Sequence, residues 1–583
     1  AMGTSAPFTN PDLLEELQDR IQDELAVFLR QREPDVELPR VVKSRKLEEG
    51  DFMMMWAPVC ARKKVKPQDF TTQLAAELQA HMDAEAASGK SLFVRECRGV
   101  GPYLNLFVNR APIFRLVLEA VTRLGDKYGH TNTMAGKRAL VEHTSSNPNA
   151  PLHIGNLRNV MIGAHLARLF EAVGYDSKQA FYVNDLGAQI GLTALAYTKT
   201  STLVEPDMKI DQWIGSIYAM MNTASELQKV GVDIGEVEDA CEAGETVVEA
   251  LAKKLVEAAP DEANAKLRAE YIDIFQDLRS RYLVTFKKVV GVVRQIPDIK
   301  AEAGKLNLAY ERQEPWAIKI FRKMVTDCLG GVQQTLNTYG VRHDQFDFES
   351  ELGWEGSNDE VLTIMKNSDY FVPPTQCNDK GVPEGGYLNM AQFIEDQKLK
   401  TGKGGYSKDY PRFYVLRPDG STLYTYRDVV YSFKKVHQAD LVCNIICSEQ
   451  DLAQQKVALA MYMMNPEMVG RQVHVSYDLV KLPKFKMSGR RGRYLLADEL
   501  YEELKKTIRE KMRARYEQKG EAVTEEFFER VTHEVSGAAM KYALLGVSNQ
   551  TVITFDMAKV TNFEDASAPF LLYNSTRLAS VIA

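Results

Sequence analysis

The stretch from Arg138 to Val183 constrains the fold more than any other. Ala139-Leu-Val141 reads as a buried strand and Thr144 to Pro151 as a polar, turn-rich loop. Gly155 to Val173 reads as a helix, with Leu157, Val160, Met161, Ala164 and Ala167 on one face before Gly174 ends it. Gln179 to Val183 is the next strand. A strand-helix-strand unit of this length begins a parallel, doubly wound sheet, whose ligands sit beyond the carboxyl ends of the strands. The loop at 142 to 156 falls at that edge.

The remaining sequence is organised around this unit. With 583 residues the chain should hold about four structural units. Asn10 and Pro11 suit the cap and first turn of an opening helix carrying Leu14, Leu17, Ile21, Leu25 and Phe28 at helical spacing. Gly101-Pro-Tyr-Leu-Asn-Leu-Phe-Val108 suggests a strand, so residues 1–136 read as a small α+β domain. Residues 137–198 hold the first half of the parallel sheet, and 199–340, nearly devoid of strand pattern, read as a helical insertion. The sheet resumes in 341–497 through Phe413-Tyr-Val-Leu416, Leu441 to Ile446 and Val473 to Val480. Residues 498–583 are helical again. The expected fold is α/β, a doubly wound parallel sheet split by helices, flanked by an N-terminal α+β domain and a C-terminal α-helical one.

Charge narrows the partners. The 72 Lys+Arg and 79 Asp+Glu give −7, which would not draw in a polyanion globally. The span Lys481 to Glu517 nevertheless carries 12 Lys/Arg against 6 Asp/Glu, a local +6. The seven scattered cysteines suit a reducing compartment, and Cys443 and Cys447 read as fillers of a buried strand, so no metal site is expected. No apolar run is long enough to span a bilayer and the N-terminus lacks a signal pattern, which predicts a cytoplasmic protein without a membrane partner.

Two motifs carry chemistry. Pro151-Leu-His-Ile-Gly-Asn156 stands where a strand-exit loop becomes a helix. The helix start offers backbone N–H groups to phosphate, His153 adds a donor, and Gly155 would let a flat base approach the backbone. A capping loop with an incidental histidine would look the same. Lys486-Met-Ser-Gly-Arg-Arg-Gly492 is a glycine-punctuated basic loop after the last strand, able to neutralise a pyrophosphate leaving group, or else merely solvated.

Taken together, these motifs resemble the HIGH and KMSKS signatures of class I aminoacyl-tRNA synthetases, and the chain is similar to the arginyl-tRNA synthetase family in particular. The resemblance runs through Val141 to Gly155, Tyr182-Val-Asn-Asp-Leu-Gly-Ala-Gln189, Asp419 to Asp428, Ser448-Glu-Gln-Asp451, the Lys486 block with Leu496 to Leu500, and Phe555-Asp556 through Tyr573 and Arg577. It implies a Rossmann-like catalytic domain that uses ATP with substrate-bound Mg2+, L-arginine and tRNA(Arg), working as a monomer. It further implies that residues 1–136 contact tRNA and that 498–583 begin an anticodon-binding domain, here cut short.

Residue by residue, the resemblance assigns His153, Asn156, Lys486, Ser488 and Arg490 to catalysis, and His153, Gly155, Asn156, Lys486, Met487 and Ser488 to ATP. Arginine falls to Glu142, Asn147, His153, Tyr424, Asp428 and Gln450. Asp428 would pair with the guanidinium, and Glu142, Asn147 and Gln450 would hold the ammonium, carboxylate or guanidinium ends. Independently, Tyr424 and Asp428 at i and i+4 would share one helix face, and a carboxylate is the group that grips a planar guanidinium. Asn156 replaces the final histidine of the first signature and Gly489 the second lysine of the second, and no compensating lysine precedes His153. Arg490 or Arg491 could substitute. These departures leave open an alternative, a degenerate, non-catalytic paralogue that binds RNA or protein.

Overall fold

The computed structural model describes residues 12–44, 46–258, 265–375, 377, 381–402, 405–407, 409–481, 496–520, 522–562 and 567–582. The chain divides into two compact units, Ala1–Lys137 with Leu169–Asp176, and Arg138–Arg168 with Ser177–Ala583. The first unit contains α1 (Leu13–Arg32), β1 (Val41–Lys43), β2 (Phe52–Met55), α2 (Ala57–Lys63), α3 (Pro67–Ala87), β3 (Val94–Val100), β4 (Tyr103–Val108) and α4 (Arg110–Leu124). Its sheet is antiparallel in the order β1-β2-β4-β3. Trp56, Leu74, Leu78, Leu104 and Leu106 are buried between sheet and helices, each leucine contributing about 2 kcal/mol by leaving water. Asp12 caps α1, its carboxylate accepting from Glu15 N at 3.1 Å. The Asn10-Pro11 cap expected from sequence lies outside the described residues.

The second unit begins with β5 (Arg138–Glu142), α5 (Ile154–Ala172), β6 (Asp176–Val183) and α6 (Ala188–Thr200). A run of helices follows: α7 (Ile210–Lys229), α8 (Ile234–Glu242), α9 (Val247–Ala258), α10 (Ala265–Arg281), α11 (Leu283–Val293), α12 (Ile299–Glu311) and α13 (Pro315–Thr338). Then come β7 (Gln345–Phe348), α14 (Glu349–Trp354), α15 (Ser357–Lys366), β8 (Phe371–Val372), β9 (Tyr387–Leu388), α16 (Met390–Asp396), β10 (Phe413–Tyr414) and α17 (Tyr424–Gln438). The sheet closes with β11 (Leu441–Cys447), α18 (Asp451–Met464) and β12 (Gln472–Tyr477). The last elements are β13 (Val480–Lys481), α19 (Ala497–Lys519), α20 (Glu525–Leu545), β14 (Ile553–Thr554), α21 (Met557–Val560) and α22 (Ala568–Ile582).

The central sheet has the order β12-β11-β5-β6-β7, with β11 parallel to both β12 and β5, and β6 parallel to β7. From β5 the chain builds outward through β6 and β7, then returns to β5's other side with β11. The reversal between β5 and β11 is the switch point at which doubly wound sheets open a ligand crevice. Helix α5 approaches β5 closely because residue 163 is glycine: a Cβ there would stand 2.3 Å from His143 Cγ.

Two sequence expectations need correction. Phe413 to Leu416 does not join the parallel sheet, because β10 pairs with β9 in a separate antiparallel sheet of order β10-β9-β8. Val473 to Val480 is not one strand: β12 ends at Tyr477, and β13 pairs instead with β14 in a two-stranded ribbon.

Candidate active site

At the switch point Glu142, the last residue of β5, lies directly beside Asn444 of β11. Helix α17 passes over this pair. Its back, including Tyr426, Val429, Val430 and Val436, is buried in the apolar core. Residues 427, 428, 431 and 435 recur at helical spacing after Tyr424 and form one stripe. Lys435, only 1% exposed, pairs with the Glu142 carboxylate and donates to Asn444 Oδ1 at 2.7 Å. Its Nζ stands 4.3 Å from the centre of the Tyr431 ring. Tyr431 donates to Asp347 Oδ2 at 2.7 Å and stacks on Tyr182 with ring centres 4.5 Å apart. Arg427 donates to Glu349 Oε1 at 2.8 Å.

Asp428 differs from these neighbours. It is accessible to water yet crowded by the surrounding protein. Among the described residues it makes no hydrogen bond or ion pair. The surrounding protein, reinforced by the Glu349 and Glu142 carboxylates and opposed by Lys435, pushes its carboxyl up to about 7. Burial likewise raises Glu349 above the ordinary carboxylate value, with Arg427 acting in the opposite direction. Among the described residues Asp428 is therefore the one carboxyl of this group without a cation or hydrogen-bond donor beside it.

The loop leaving Glu142 is strained and braced. Thr144 and Ser145 have φ of +69° and +35°, a region that residues with side chains avoid. Thr144 N donates to Asn159 Oδ1, while Ser145 Oγ accepts from Tyr182 N at 3.1 Å. Asn159 also donates to Ile445 O at 2.6 Å, so one side chain of α5 holds both the loop and β11. Asn147 is exposed farther along the loop, and Gln450 is exposed in the short turn Ser448–Gln450 after β11. The backbone of Tyr424 opens α17, but its side chain lies outside the described residues.

The first signature is used differently from the expectation. His153 Nδ1 accepts from Gly155 N at 3.1 Å and from Asn156 N at 3.3 Å, while Asn156 Oδ1 accepts from His153 N at 3.0 Å. The backbone N–H groups of Gly155 and Asn156, expected to meet phosphate, are thus already engaged at the start of α5. Gly155 makes room for the imidazole, since a Cβ there would lie 2.9 Å from His153 Cε1. With Nδ1 accepting, the neutral ring carries its proton on Nε2. Burial pushes His153 down to about 4, so the ring is neutral near pH 7.

Lys486, Met487, Ser488 and Arg490 lie outside the described residues. The chain after them returns to the first signature: Leu496 bridges His153, and Ala497 N donates to Leu152 O at 2.9 Å. The chain before them is anchored at β13, where Phe555 N donates to Lys481 O at 3.0 Å. Among the described residues no group of three His, Cys, Asp or Glu side chains could hold a metal ion. A cavity of about 600 Å³ lies elsewhere, among α6, α7, α10 and α12, lined by Gln189, Tyr218, Lys229, Tyr271 and Lys300.

Sequence reasoning missed Lys435, Tyr431 and the Arg427–Glu349 pair. The signal was present, because positions 431 and 435 continue the stripe begun by Tyr424 and Asp428. It also missed Arg158, wholly buried in α5, which donates to Asp478 O, to Thr551 O at 2.9 Å, to Ser548 O at 3.1 Å and to Asn549 O at 3.3 Å. Asp185 is a second hidden centre, accepting from Ser350 N at 2.9 Å, Ser350 Oγ at 2.7 Å and the Tyr310 hydroxyl.

A doubly wound sheet with a signature histidine at the start of its first crossover helix defines a class I synthetase catalytic domain. Consistent with this, the family model described as tRNA synthetases class I (R), catalytic domain, matches residues 118–230 and 394–557. The arginine--tRNA ligase of Saccharolobus solfataricus is 33% identical over 505 residues, covering 85% of this chain and 73% of that protein. That of Sulfolobus acidocaldarius is 31% identical over 514 residues, covering 87% and 76%. The chain belongs to the arginine--tRNA ligase family. Its fold is shared with Thermus thermophilus arginyl-tRNA synthetase, with a TM-score of 0.60 at 20% identity over 98% of this chain and 82% of that one. The arginyl-tRNA synthetase of Plasmodium falciparum gives 0.56 at 12% identity, covering 98% and 81%.

Proposed function

We propose that this chain activates L-arginine with ATP to arginyl-adenylate and transfers the arginyl group to tRNA(Arg). The observation that carries this reading is Asp428, a carboxylate at the switch point without a hydrogen-bond or ion-pair partner among the described residues, in a chain of the arginine--tRNA ligase family. A guanidinium is planar, permanently charged and able to donate two parallel N–H bonds to one carboxylate. Tyr424, Asn147, His153 and Gln450 fix the remaining ends of arginine, and Glu142 stands at the same switch point with its charge held by Lys435.

The arginine carboxylate attacks the α-phosphate of ATP and displaces pyrophosphate; the terminal ribose hydroxyl of tRNA then attacks the mixed anhydride. Positioning and charge stabilisation suffice for both displacements, so no side-chain nucleophile is required. His153 presents Nε2–H toward ATP while its Nδ1 holds the helix start. Gly155 and Asn156 shape that turn, and Lys486, Met487, Ser488 and Arg490 serve the triphosphate and the leaving pyrophosphate. Mg2+ enters with ATP, carried by the phosphates.

In this reading residues 1–136 contact tRNA. The groove of about 1070 Å³ on their sheet, lined by Arg40, Met53, Met55, Arg98, Val100 and Tyr103, offers the arginines and ring that suit unpaired bases. Residues 137–198 and 341–497 form the catalytic domain, 199–340 its insertion, and 498–583 the start of an anticodon-binding helical region. The enzyme works as a monomer in the cytoplasm. Among the described residues no helix is long and apolar enough to cross a membrane.

Arginine-dependent ATP–pyrophosphate exchange, run with and without tRNA(Arg), tests the proposal. Exchange driven by arginine but not by lysine or citrulline is the expected result. No exchange under either condition, with tRNA still bound, would overturn it in favour of a non-catalytic RNA-binding paralogue.

A further inference from the structure

The switch point gathers carboxylates from several elements: Glu142 from β5, Asp347 from β7, Glu349 from α14 and Asp428 from α17. A cationic substrate would be attracted to each of them. Three are already committed. Glu142 is held by Lys435, Glu349 by Arg427, and Asp347 accepts from Tyr431 and from Gln345 Nε2 at 2.8 Å. Both cations stand on the same stripe of α17 as Asp428.

Lys435 is the costlier of the two cations. A lysine that is 1% exposed has lost nearly all its hydration, and burial of that kind persists only with a charge partner and further acceptors. It has both: the Glu142 carboxylate, Asn444 Oδ1 at 2.7 Å and the face of Tyr431. An ion pair fastening α17 to β5 and β11 would explain the burial alone, but α17 is already seated on the sheet by the buried apolar side chains of its back. What the ammonium adds is charge, placed against one of the two carboxylates that act on Asp428.

We propose that Lys435 is a specificity-determining positioning residue: by acting as an internal cation for Glu142, it leaves Asp428 as the one uncompensated member of these four carboxylates among the described residues and so fixes where the substrate guanidinium docks. The proposal rests on arginine being the substrate. Without Lys435, the bare Glu142 charge would hold the proton on Asp428 and weaken its grip on the guanidinium, so arginine would bind less tightly in the productive position. The charged and titratable groups around Asp428 are Arg427 and Lys435 on its own helix, Glu142 from β5, Tyr182 from β6 and Glu349 from α14. Removing the Lys435 charge therefore leaves Asp428 among more uncompensated negative charge and moves its titration upward.

The test compares K435M, K435R, E142Q and K435M/E142Q by pyrophosphate exchange across pH and by calorimetric titration with arginine. K435M should raise the arginine KM by about 100-fold, the scale expected when one member of a buried charge pair is lost, with kcat much less affected. Its acid limb should move to higher pH, and millimolar methylammonium should partly restore arginine binding. K435R should retain most of the wild-type KM. The double variant, which removes both charges, should recover KM to within about tenfold of wild type. A double variant as impaired as K435M, or a K435M whose arginine KM and pH profile match wild type, would overturn the proposal. If K435M fails to fold, the double variant decides by the same criterion. Were the wild type inactive in exchange, the assigned reaction would fall separately, and arginine titration of the same variants would still decide the role of Lys435.

Discussion

His153 and Asn156 cap the start of α5 reciprocally, the imidazole accepting from the Asn156 backbone and the carboxamide accepting from that of His153. The arrangement is a capping box built from unusual residues, and it explains how an asparagine can stand at the final position of the first signature: the position needs an acceptor more than a charge. Asn156→Ala should cost about 1 kcal/mol of stability, read as a lower denaturation midpoint. Asn156→Asp should keep the cap and the stability but raise the KM for ATP, because it brings a negative charge toward the phosphates. Equal stability of the alanine variant and wild type would contradict the cap.

Arginine affinity should depend on pH through Asp428. Its carboxyl is pushed up to about 7 by its surroundings, whereas the arginine guanidinium stays charged throughout. Binding therefore requires Asp428 to lose its proton, and affinity should fall about tenfold per pH unit below that value. Calorimetry in buffers of different ionisation enthalpy should detect proton release on binding near pH 6. Asp428→Asn should abolish both the pH dependence and, by about 100-fold or more, the affinity.

Acid stability should be governed partly by two histidines behind the site. His143 and His343 pack with ring centres 4.4 Å apart, and burial depresses them to about 4 and about 3. A histidine with a depressed folded value stabilises the fold above its unfolded value near 6.5, and that contribution is lost as pH falls toward the folded value. Asp428, raised rather than depressed, works in the opposite sense: it costs stability as pH climbs from about 4 to 7. His153, depressed to about 4 as well, works with these two histidines, and the three together outweigh Asp428 on acidification from pH 6.5 to about 4. The urea midpoint should fall over that window, and less steeply in His343→Phe.

The strained loop offers a separate test. Thr144 sits at φ +69°, where a side chain costs about 1 kcal/mol or more. Thr144→Gly should leave global stability nearly unchanged, since relief of strain offsets added chain entropy. It should nevertheless raise the KM for arginine, because the loop carrying Asn147 loses the local bond between Thr144 Oγ1 and His143 Nδ1, 3.0 Å apart. A large stability loss would show that the strain estimate is misplaced.

Local patterns were the legible part of the fold. Helical periodicity and Gly174 mark α5, and β5, β6 and β11 stand out as apolar runs. The short strand β7 was not legible, since Gln345-Phe-Asp-Phe348 alternates weakly and is defined by pairing with β6. The site divides in the same way. Asp428 could be placed on a helix face with Tyr424 from spacing alone, but Lys435 reads in isolation as a solvated helix residue. Its burial is set by Glu142, 293 residues away in sequence, which only the return of β11 beside β5 brings within reach. The role of His153 was half legible: its position at a helix start could be read, but the folding back of its ring onto that start could not.

Arg158 has a thermodynamic consequence beyond the contacts it makes. Its guanidinium reaches four carbonyls, one beyond β12 and three in the 548–551 segment that leads into β14. The first crossover helix of the sheet and the chain after α20 are therefore fastened by a buried cation as well as by the apolar core they share, and neither can detach without breaking its hydrogen bonds to those carbonyls. The catalytic sheet and the C-terminal helices should melt in one calorimetric transition. Arg158→Met, which strips the fastening while keeping much of the volume, should split it into two, with the C-terminal helices opening first and becoming the protease-sensitive part of an otherwise folded molecule.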